Sequence, residues 1–471
     1  MNALDALRVH ARERPTHPAL CVDEGGATRV VDYASLARRM DEGAARLRAS
    51  GLERGARCGL VARQGPGFIE EALSILAAGG CLVPVPDDAG PAARARFAEQ
   101  AFLEHWDAED EGFAGRRLAP PPGGAFAHEE AFRAIDPAYL RFTSGTTSAR
   151  KGVVLSHARI AERLEAANAG LCIDPADRIL WLLPMAHHFV VSILLYLRFG
   201  ATVLLPASGL ARPALELAAR ERATVCYASP FHYHLLSKDA SELGLGVRLA
   251  VSTAEGLRGD VAVSFRERFG LPLVQALGII EVGLPVLNAD AADAKPLALG
   301  RPLPAYEVWL RGEDGRPVEG PGSPERTGEI CIRGPGLFDA YLSPWTPSSE
   351  VLEPDGFRTG DQGFFDAEGV LTLAGRRHNR INMAGMKFFG EEVEEVLARH
   401  PGVRESRVFG REHPRLGEIP VAEIVPEDPE APPAKRELLA LCREALPAYK
   451  VPRELRVVPE LARTETGKVK R

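Results

Sequence analysis

The first half of the chain alternates short apolar runs with amphipathic stretches. "RCGLVA" at 57–62 and "CLVPVP" at 81–86 are apolar runs of strand length. Between them, "GFIEEALSILAAG" at 67–79 has helical spacing and ends at a glycine. The same order recurs further along, with apolar runs such as "ATVLLP" and "ATVCYASP". This alternation predicts parallel sheets that are covered by helices.

The pattern changes after about residue 300. "GEICIRG" and "GVLTLAGR" are short strands bounded by turn residues, which indicates a small antiparallel region. Further on, the amphipathic helices "GEEVEEVLARH" and "AKRELLALCREAL" have strand patterns between them, so the end of the chain forms another unit.

We therefore predict an α/β fold with two domains. The large N-terminal domain, residues 1–376, contains two helix-covered, mostly parallel sheets and a small β-barrel-like region. The small C-terminal domain, residues 377–471, is α+β and mobile.

Composition excludes several classes of protein. The 471 residues are too many for one ordinary core, and 26% charged residues are typical of a globular protein. The net charge of −7, with no long basic run, argues against a nucleic-acid partner. Polar residues interrupt the most apolar region, 179–206, so we expect no membrane span. Seven scattered cysteines without a C-x-x-C pair, and no signal peptide, indicate a cytoplasmic protein.

One polar stretch, "RFTSGTTSARKG" at 141–152, is rich in small hydroxyl side chains. These donors, a glycine and two cations suggest an anion site. It is not a Walker-type loop, because Gly152 stands where that loop needs Ser or Thr for magnesium. Taken alone, the stretch is equally compatible with a polar turn between a strand and a helix.

Four further segments follow this stretch, and their order along the chain is as informative as their sequences. They are "QALGIIEVG" at 275–283, "GFRTGD" at 356–361, "GRRHNRINMAG" at 375–385 and the terminal "ARTETGKVKR". The set resembles the adenylate-forming superfamily, which holds acyl-CoA and aryl-CoA synthetases, firefly luciferase and the adenylation domains of nonribosomal peptide synthetases. The resemblance covers nearly the whole chain.

The resemblance implies a two-step reaction. A carboxylate first attacks the α-phosphate of ATP, with Mg²⁺ bound, and gives an acyl-adenylate and pyrophosphate. A thiol then displaces AMP. The thiol belongs to coenzyme A or to the phosphopantetheine of a separate acyl carrier protein, since the sequence contains no carrier domain. A luciferase-like oxygenase is a less favoured alternative.

The resemblance also assigns the phosphate and metal sites. The opening stretch would hold the β- and γ-phosphates through hydroxyls, backbone N–H groups and the Lys151 charge. Glu281 would bind magnesium together with Thr146, since a hard cation needs oxygen ligands. The alternative for Glu281 is a solvated loop residue. The phosphate-loop residues are Thr143, Ser144, Gly145, Thr146, Thr147 and Lys151.

The nucleoside is assigned to residues further along the chain. Asp361 would accept hydrogen bonds from the ribose hydroxyls, and Arg376 would lie near ribose and phosphate. Their alternatives are a turn aspartate and a surface charge. The remaining nucleotide contacts implied by the resemblance are Ala254, Glu255, Ala276, Leu277 and Gly278.

Three positions near the end of the chain belong to the mobile domain in this interpretation. Lys468 matches the terminal lysine that contacts the carboxylate and the α-phosphate; otherwise it is part of a basic tail. His378 stands at the hinge, although Asp or Lys is commoner there. Gly385 would let the pantetheine arm of the thiol approach.

The acid pocket is the least specific prediction. His187 in "LPMAHHFV" aligns with a residue that lines the acyl pocket, and we also count it among the catalytic groups. Phe231, His232 and Tyr233 suggest an aromatic wall for an aryl or a short- to medium-chain acyl group, although ordinary core would look the same. The pocket residues are His187, Phe231, His232, Ser252, Gly278 and Gly283.

The sequence departs from the family pattern at several positions. Ser148 and Arg150 replace the usual Gly and Pro of the phosphate loop, and Leu277 replaces an aromatic residue. Ile280 replaces a threonine that donates to the α-phosphate, and such a loss costs about 1.5–3 kcal/mol. These changes motivate a second hypothesis, a degenerate relative that binds nucleotide without turnover. The intact charged positions argue against it: Lys151, Glu281, Asp361, Arg376 and Lys468.

Overall fold

The computed structural model describes most of the chain. The described residues are 4–85, 90–120, 124–142, 151–324, 326–352, 356–376, 379–383, 386–414, 416–463 and 469, without the side chains of Arg376 and Lys387.

Through the first 280 residues or so, strands alternate with helices, and further helices follow among the later described residues. The helices are α1 (Asp5–Glu13), α2 (Tyr33–Ala49), α3 (Pro66–Ala78), α4 (Pro91–Gln100), α5 (Glu129–Ala134), α6 (His157–Leu171), α7 (Met185–His188), α8 (Leu194–Arg198), α9 (Ala211–Glu221), α10 (Pro230–Lys238), α11 (Gly259–Phe269), α12 (Ser348–Val351), α13 (Gly390–Leu397) and α14 (Lys435–Ala445). A 3₁₀ turn spans Glu109–Glu111 and a π-helix spans Phe189–Ile193. Among the described residues, no helix is both long and apolar enough to cross a bilayer.

The strands form four sheets. In chain order they are β1 (Pro18–Asp23), β2 (Thr28–Asp32), β3 (Arg57–Val61), β4 (Cys81–Val85), β5 (His105–Ala108), β6 (Arg116–Arg117), β7 (Pro137–Phe142), β8 (Gly152–Ser156), β9 (Arg178–Trp181), β10 (Thr202–Leu205), β11 (Val225–Ala228), β12 (Leu249–Ser252), β13 (Val274–Ile279), β14 (Gly283–Leu287), β15 (Arg301–Pro302), β16 (Glu307–Arg311), β17 (Gly328–Arg333), β18 (Ala340–Tyr341), β19 (Thr346–Pro347), β20 (Phe357–Phe365), β21 (Leu371–Arg376), β22 (Arg380–Met383), β23 (Met386–Phe389), β24 (Val403–His413), β25 (Gly417–Pro426) and β26 (Glu454–Val457).

Two large sheets carry the first part of the chain. The first runs in the order β15-β14-β13-β12-β11-β9-β10-β1-β2, with parallel pairs from β1 to β13 and antiparallel pairs at both ends. The second runs β19-β18-β8-β7-β4-β3-β5-β6, with β3, β4, β5 and β7 paired in parallel. Parallel pairing at the centre of both sheets agrees with the predicted helix-covered architecture.

Two smaller sheets complete the fold. β16, β17, β20 and β21 pair in that order and are all antiparallel, which agrees with the antiparallel region predicted after residue 300. After β21, the strands from β22 to β26 form a sheet of their own, which packs with α13 and α14 around a separate hydrophobic cluster.

The main core lies on the inner face of the first sheet. Trp181 and Tyr227, paired across β9 and β11, belong to the large cluster that also contains residues of the second sheet. Their neighbours Leu180 and Cys226 belong instead to the outer cluster beneath α9, α10 and α11. Because side chains alternate along a strand, each strand is buried on both faces, which explains the continuous apolar runs in the sequence.

Helix α6 begins immediately after β8 and carries a buried arginine toward the junction of the two large sheets. Ser156 caps the helix by accepting a hydrogen bond from the backbone N–H of Arg159 at 3.3 Å. The cap fixes the direction in which the helix leaves the sheet, and Arg163 lies two turns along it, fully buried.

Candidate active site

Glu281 lies in the turn between β13 and β14, where the two large sheets meet. The Tyr341 hydroxyl of β18 donates to the Glu281 carboxylate at 3.1 Å. The backbone N–H of Phe338 donates to the Glu281 carbonyl at 2.8 Å. These bonds join the first sheet to the edge of the second, so Glu281 is a fixed residue and not a solvated loop residue.

Lys151 approaches the same tyrosine. It stands directly before β8 with an exposed side chain, and its Nζ lies 4.5 Å from the centroid of the Tyr341 ring. A cation over an aromatic face at this distance is attracted to the ring. Tyr341 therefore contacts both Glu281 and Lys151, and the structure brings together these two predicted residues, which are 130 positions apart.

Two arginines, the fully buried Arg163 and the half-buried Arg141, lie near Glu281 without bonding to its carboxylate in the described contacts. Arg163 donates through Nε to the Gly336 carbonyl at 3.0 Å and through Nη1 to the Ile280 carbonyl at 3.0 Å. Burial lowers the pKa of Arg163 to about 10. Arg141 at the end of β7 donates to the His187 carbonyl, and burial also lowers its pKa. Their hydrogen bonds hold main-chain segments around the carboxylate.

Burial raises the pKa of Glu281 above its ordinary value. The Tyr341 hydrogen bond and the charges of Arg141 and Arg163 act in the opposite direction, and burial outweighs them. A cation bound at the carboxylate would favour its ionised form. The site therefore has a carboxylate for which a positive partner is electrostatically favourable.

This arrangement fits magnesium in the manner expected of a nucleotide site. Mg²⁺ is commonly held by one or two carboxylates together with phosphate oxygens, not by an all-protein cage. Among the described residues, no group of three or more His, Cys, Asp or Glu side chains forms such a cage. Glu281 would supply one hard oxygen ligand to a metal ion at such a site.

The ends of β12 and β13 form the neighbouring wall. Thr253, just beyond β12, donates to the Ala276 carbonyl at 3.1 Å. The position that a Gly278 Cβ would occupy is 3.5 Å from the Thr253 Oγ1. Ala254 has φ +76° and is exposed, as is Glu255. A non-glycine residue in this conformation is uncommon, and such residues cluster at functional sites. The nucleotide contacts of Ala254 and Glu255 stay predictions.

The two predicted ribose residues are direct cross-strand partners. Asp361 of β20 lies opposite Arg376 of β21 in the antiparallel pair. The Thr359 Oγ1 accepts a hydrogen bond from the Asp361 backbone N–H at 3.0 Å. The backbone thus holds these two positions side by side, while the Arg376 side chain is outside the described part of the chain.

His187 lies in α7, half-buried, beside Arg141, the first residue of the polar stretch. Its carbonyl accepts the Arg141 hydrogen bond, which ties α7 to the end of β7. The ring of its neighbour His188 lies 6.1 Å from the Trp181 ring in an edge-on arrangement. The α7 segment therefore borders both the Glu281 region and the inner face of the first sheet.

The predicted aromatic wall is wrong as a single surface. Phe231 is 61% exposed, whereas Tyr233 is fully buried in the outer cluster and donates to the carbonyls of Cys226 and Val251. His232 bonds to Ser229 at 2.8 Å, and burial lowers its pKa. The physical reason is helical geometry, because consecutive residues of α10 point about 100° apart and cannot share one face.

The two remaining pocket residues have separate surroundings. Ser252 is buried at the end of β12, and its Oγ has no hydrogen-bond partner within the described ranges. Gly283 has φ +111°, and a Cβ there would approach the Tyr306 hydroxyl at 3.2 Å and the Arg163 Cβ at 3.3 Å. Gly283 thus allows close packing against Arg163, which holds the Glu281 turn.

The other predicted residues lie outside the described part of the chain. They are Thr143, Ser144, Gly145, Thr146, Thr147, Ser148, Arg150, His378, Gly385 and Lys468.

The structure adds Tyr341, Arg141 and Arg163 to the site. Tyr341 belongs to "GEICIRGPGLFDAYL" at 328–342, which also resembles a family segment, and Arg141 opens the polar stretch itself. Arg163 has no local signal, because an arginine on an amphipathic helix is usually solvated.

Comparison with known proteins gives consistent results. The "AMP-binding enzyme" family matches residues 7–342, and the "AMP-binding enzyme C-terminal domain" family matches residues 392–468. A sulfoacetate–CoA ligase of Cupriavidus necator is 31% identical over 71% of this chain, which spans 66% of that relative's length. An indoleacetate–CoA ligase of Aromatoleum aromaticum is 29% identical over 98% of this chain and 95% of its own length.

The fold comparison agrees. The structure of ATP-bound MatB from Rhodopseudomonas palustris superimposes with a TM-score of 0.85 at 25% identity, covering 100% of this chain and 97% of that one. The predicted fold class is confirmed. Together the matches support an AMP-forming ligase that activates a carboxylic acid with ATP and transfers it to coenzyme A. This chain belongs to the AMP-binding enzyme family of the adenylate-forming superfamily.

Proposed function

We propose that this chain is an ATP-dependent carboxylate ligase that makes an acyl-adenylate and then an acyl thioester. The observation that carries the proposal is the contact of Tyr341 with both Glu281 and Lys151. A carboxylate suited to a metal accepts from the Tyr341 hydroxyl, and a cation suited to a phosphate lies over the Tyr341 ring. That is the charge pattern that a magnesium–triphosphate needs.

Magnesium is bound by Glu281 in this proposal. Burial has already raised the cost of the carboxylate charge, and the nearby arginines are bonded to main-chain carbonyls. Glu281 would hold a divalent cation that offsets this charge, and the cation would supply Lewis-acid chemistry to the phosphates. Thr146 is proposed as the second metal ligand.

The remaining catalytic groups act on the phosphates and the carboxylate. Thr143, Ser144, Gly145, Thr146 and Thr147 cradle the β- and γ-phosphates with Lys151. Lys468 contacts the acid and the α-phosphate and offsets charge as the transition state forms. Asp361 and Arg376, neighbours across two strands, hold the ribose.

The acceptor thiol is proposed to be coenzyme A, since the relatives are named as CoA ligases. A phosphopantetheine on a separate acyl carrier protein is the second candidate, because both acceptors present the same pantetheine arm. Gly385 is proposed as the passage for that arm and His378 as the hinge. The domain boundary between residues 376 and 377 is supported by the end of β21 and the separate sheet that follows.

The acid is proposed to be a small aryl or acyl carboxylate that enters beside His187.

All seven cysteines are free, and all but Cys172 are buried, which supports residence in a reducing compartment such as the cytoplasm.

The proposal is tested by carboxylate-dependent exchange of labelled pyrophosphate into ATP. We expect exchange with at least one class among aryl, short-chain and medium-chain acids, and we expect Lys468→Ala to abolish it. Adding coenzyme A or a phosphopantetheinylated carrier protein then identifies the acceptor. ATP binding without exchange for any acid would instead support the degenerate binding protein.

A matched control separates a chemical role of Lys468 from general damage. Lys435 lies at the start of α14 and is exposed, so Lys435→Ala removes the same charge from the same domain. We expect this variant to exchange pyrophosphate at the wild-type rate. Equal losses in the two variants would contradict the proposed role of Lys468.

A further inference from the structure

Three aromatic side chains form a buried triangle on the inner face of the first sheet. The rings of Trp181 and Tyr227 stack with centroids 5.6 Å apart. The Tyr196 ring of α8 lies 6.1 Å from each of them. All three residues are at most 5% exposed. We call this set the aromatic triangle.

Polar atoms of the triangle and its neighbour lack partners. The indole Nε1 of Trp181, the hydroxyl of Tyr196 and the Oγ of Ser192 are buried without a hydrogen-bond partner among the described residues. Ser192 precedes Tyr196 by four positions, about one helical turn. Buried donors without partners are unfavourable and rare in native structures, so several within one cluster require an explanation.

The cluster adjoins the proposed acid site. His188, next to His187 in α7, lies 6.1 Å from the Trp181 ring. On the opposite side, Tyr227 lies on β11, which pairs with β12, and Thr253 directly follows β12. Thr253 in turn contacts Ala276 and the Gly278 position. The unpartnered donors therefore lie between α7 and the nucleotide wall.

We propose that the aromatic triangle and Ser192 recognise the far end of the acid substrate, and that this acid is an aromatic carboxylic acid with a neutral oxygen substituent. The inference rests on the proposed function and names the substrate class of the same site. Indole and phenol rings offer flat apolar surfaces for an aryl group. Indole N–H and hydroxyl donors suit a neutral hydroxyl, methoxy or carbonyl oxygen, because a second carboxylate would need a cationic partner when buried.

Matched pairs of acids test the inference on the full-length protein. The pairs are benzoate with para-hydroxybenzoate, phenylacetate with para-hydroxyphenylacetate, and cinnamate with para-hydroxycinnamate, assayed by pyrophosphate exchange. We expect the hydroxylated member of at least one pair to have a kcat/KM at least about tenfold higher. A site built to hydrogen-bond a substrate oxygen discriminates against the analogue that lacks it, because the protein donors then stay unpaired.

Single-atom variants assign the discrimination to these donors. Ser192→Ala and Tyr196→Phe should each reduce the hydroxylated-to-plain selectivity ratio by about threefold to tenfold. Tyr233→Phe is the matched control, since Tyr233 is an equally buried tyrosine on the other face whose hydroxyl already has partners. It should leave the ratio unchanged. Thermal unfolding of each variant shows whether the fold is retained.

Two negative results are distinguishable. Exchange with plain and hydroxylated acids at equal efficiency, with a ratio insensitive to Ser192→Ala and Tyr196→Phe, would overturn the inference and leave the proposed function intact. Exchange with no acid at all would contradict the proposed function itself. If one variant fails to fold, the other still decides between these outcomes.

Discussion

Two buried acidic sites in this protein look alike in composition and differ in how their arginines are bonded. Glu281 is near Arg141 and Arg163, yet both arginines donate to main-chain carbonyls. Glu71 of α3, in contrast, is bonded by Arg46 of α2 through both of its oxygens. Burial raises the pKa of both carboxyl groups, and that of Glu71 reaches about 7.

At the Glu71 site, the charged side chains pair with one another. Asp107 of β5 is fully buried and accepts a hydrogen bond from the Gly115 backbone N–H at 3.0 Å. Its other oxygen is 3.6 Å from Arg46. Both carboxyl groups are therefore paired with Arg46, which is the arrangement of a structural cluster, although Asp107 Oδ2 has no hydrogen-bond partner among the described residues.

The difference shows how to distinguish a ligand site from a structural one when the residue types are the same. A carboxylate whose nearby arginines are engaged by the main chain keeps an unneutralised charge, and a cation can supply the missing partner. A carboxylate that is bonded by its arginine has no such need. The predictions below test this distinction, from the largest expected effect to the smallest.

Substituting Glu281 should affect catalysis far more than stability. Glu281→Gln removes the metal ligand and should reduce pyrophosphate exchange by about two orders of magnitude or more. Because the amide carries no charge to bury, the midpoint of thermal unfolding should not fall. Glu71→Gln is the control and should keep wild-type exchange. Equal losses of exchange in the two variants would remove the distinction between the sites.

Removing Arg163 should damage both stability and activity. Arg163→Met keeps the apolar stem but leaves the carbonyls of Gly336 and Ile280 without their donor, at a cost of about 2–3 kcal/mol in the free energy of unfolding. Pyrophosphate exchange should fall about tenfold, because the turn that carries Glu281 loses its hydrogen bond from Arg163 to the Ile280 carbonyl.

Arg46→Met provides the comparison for that experiment. It should lower the free energy of unfolding in denaturant titrations and leave exchange by the folded protein near the wild-type rate. Wild-type exchange by Arg163→Met under conditions where it is folded would contradict the positioning role of Arg163.

Removing the Tyr341 hydroxyl should shift the pH dependence of activity. The hydroxyl favours the ionised form of Glu281, so Tyr341→Phe should raise the Glu281 pKa further. The acid limb of kcat/KM for magnesium–ATP should then move to higher pH by about half a unit to one unit. The ring remains, so the contact with Lys151 is kept. An unchanged acid limb would mean that Glu281 does not control this ionisation.

The structural cluster should instead influence stability as a function of pH. The native state holds a proton on Glu71 up to a pKa of about 7, whereas the unfolded chain releases it at the ordinary, lower value. The native state therefore binds more protons in between, and stability falls as pH rises through this window. Between pH 5.5 and 7.5, the free energy of unfolding of the wild type should fall by about 1–2 kcal/mol relative to that of Glu71→Gln, as measured by urea titrations. If the free energies of unfolding of the two proteins differed by the same amount at every pH, that result would contradict the raised pKa of Glu71.

Much of the fold could be predicted from the sequence, because its central strands are buried on both faces. The runs at 57–62 and 81–86 are strands β3 and β4, and the stretch at 67–79 is helix α3, each within about one residue. Glu281 and Lys151 could be singled out because family motifs fix their positions along the chain.

The rest depends on packing between distant parts of the chain. Tyr341 contacts Glu281 across 60 residues, and Arg163 reaches Ile280 across 117. No pattern of neighbouring residues in the sequence predicts contacts over such separations. The prediction that Tyr233 shares an aromatic wall with Phe231 and His232 failed for a related reason, since adjacent side chains of a helix point in different directions. The triangle of Trp181, Tyr196 and Tyr227 could not be predicted because it joins three separate elements.

The central claim is that this protein activates a carboxylate as its adenylate. The most direct measurement is a single-turnover reaction with labelled ATP, magnesium and an accepted acid, first without and then with coenzyme A. The account predicts pyrophosphate and an enzyme-bound acyl-adenylate in the first stage, and AMP with an acyl thioester after coenzyme A is added. Release of ADP and inorganic phosphate, or no turnover of ATP with any acid, would contradict it.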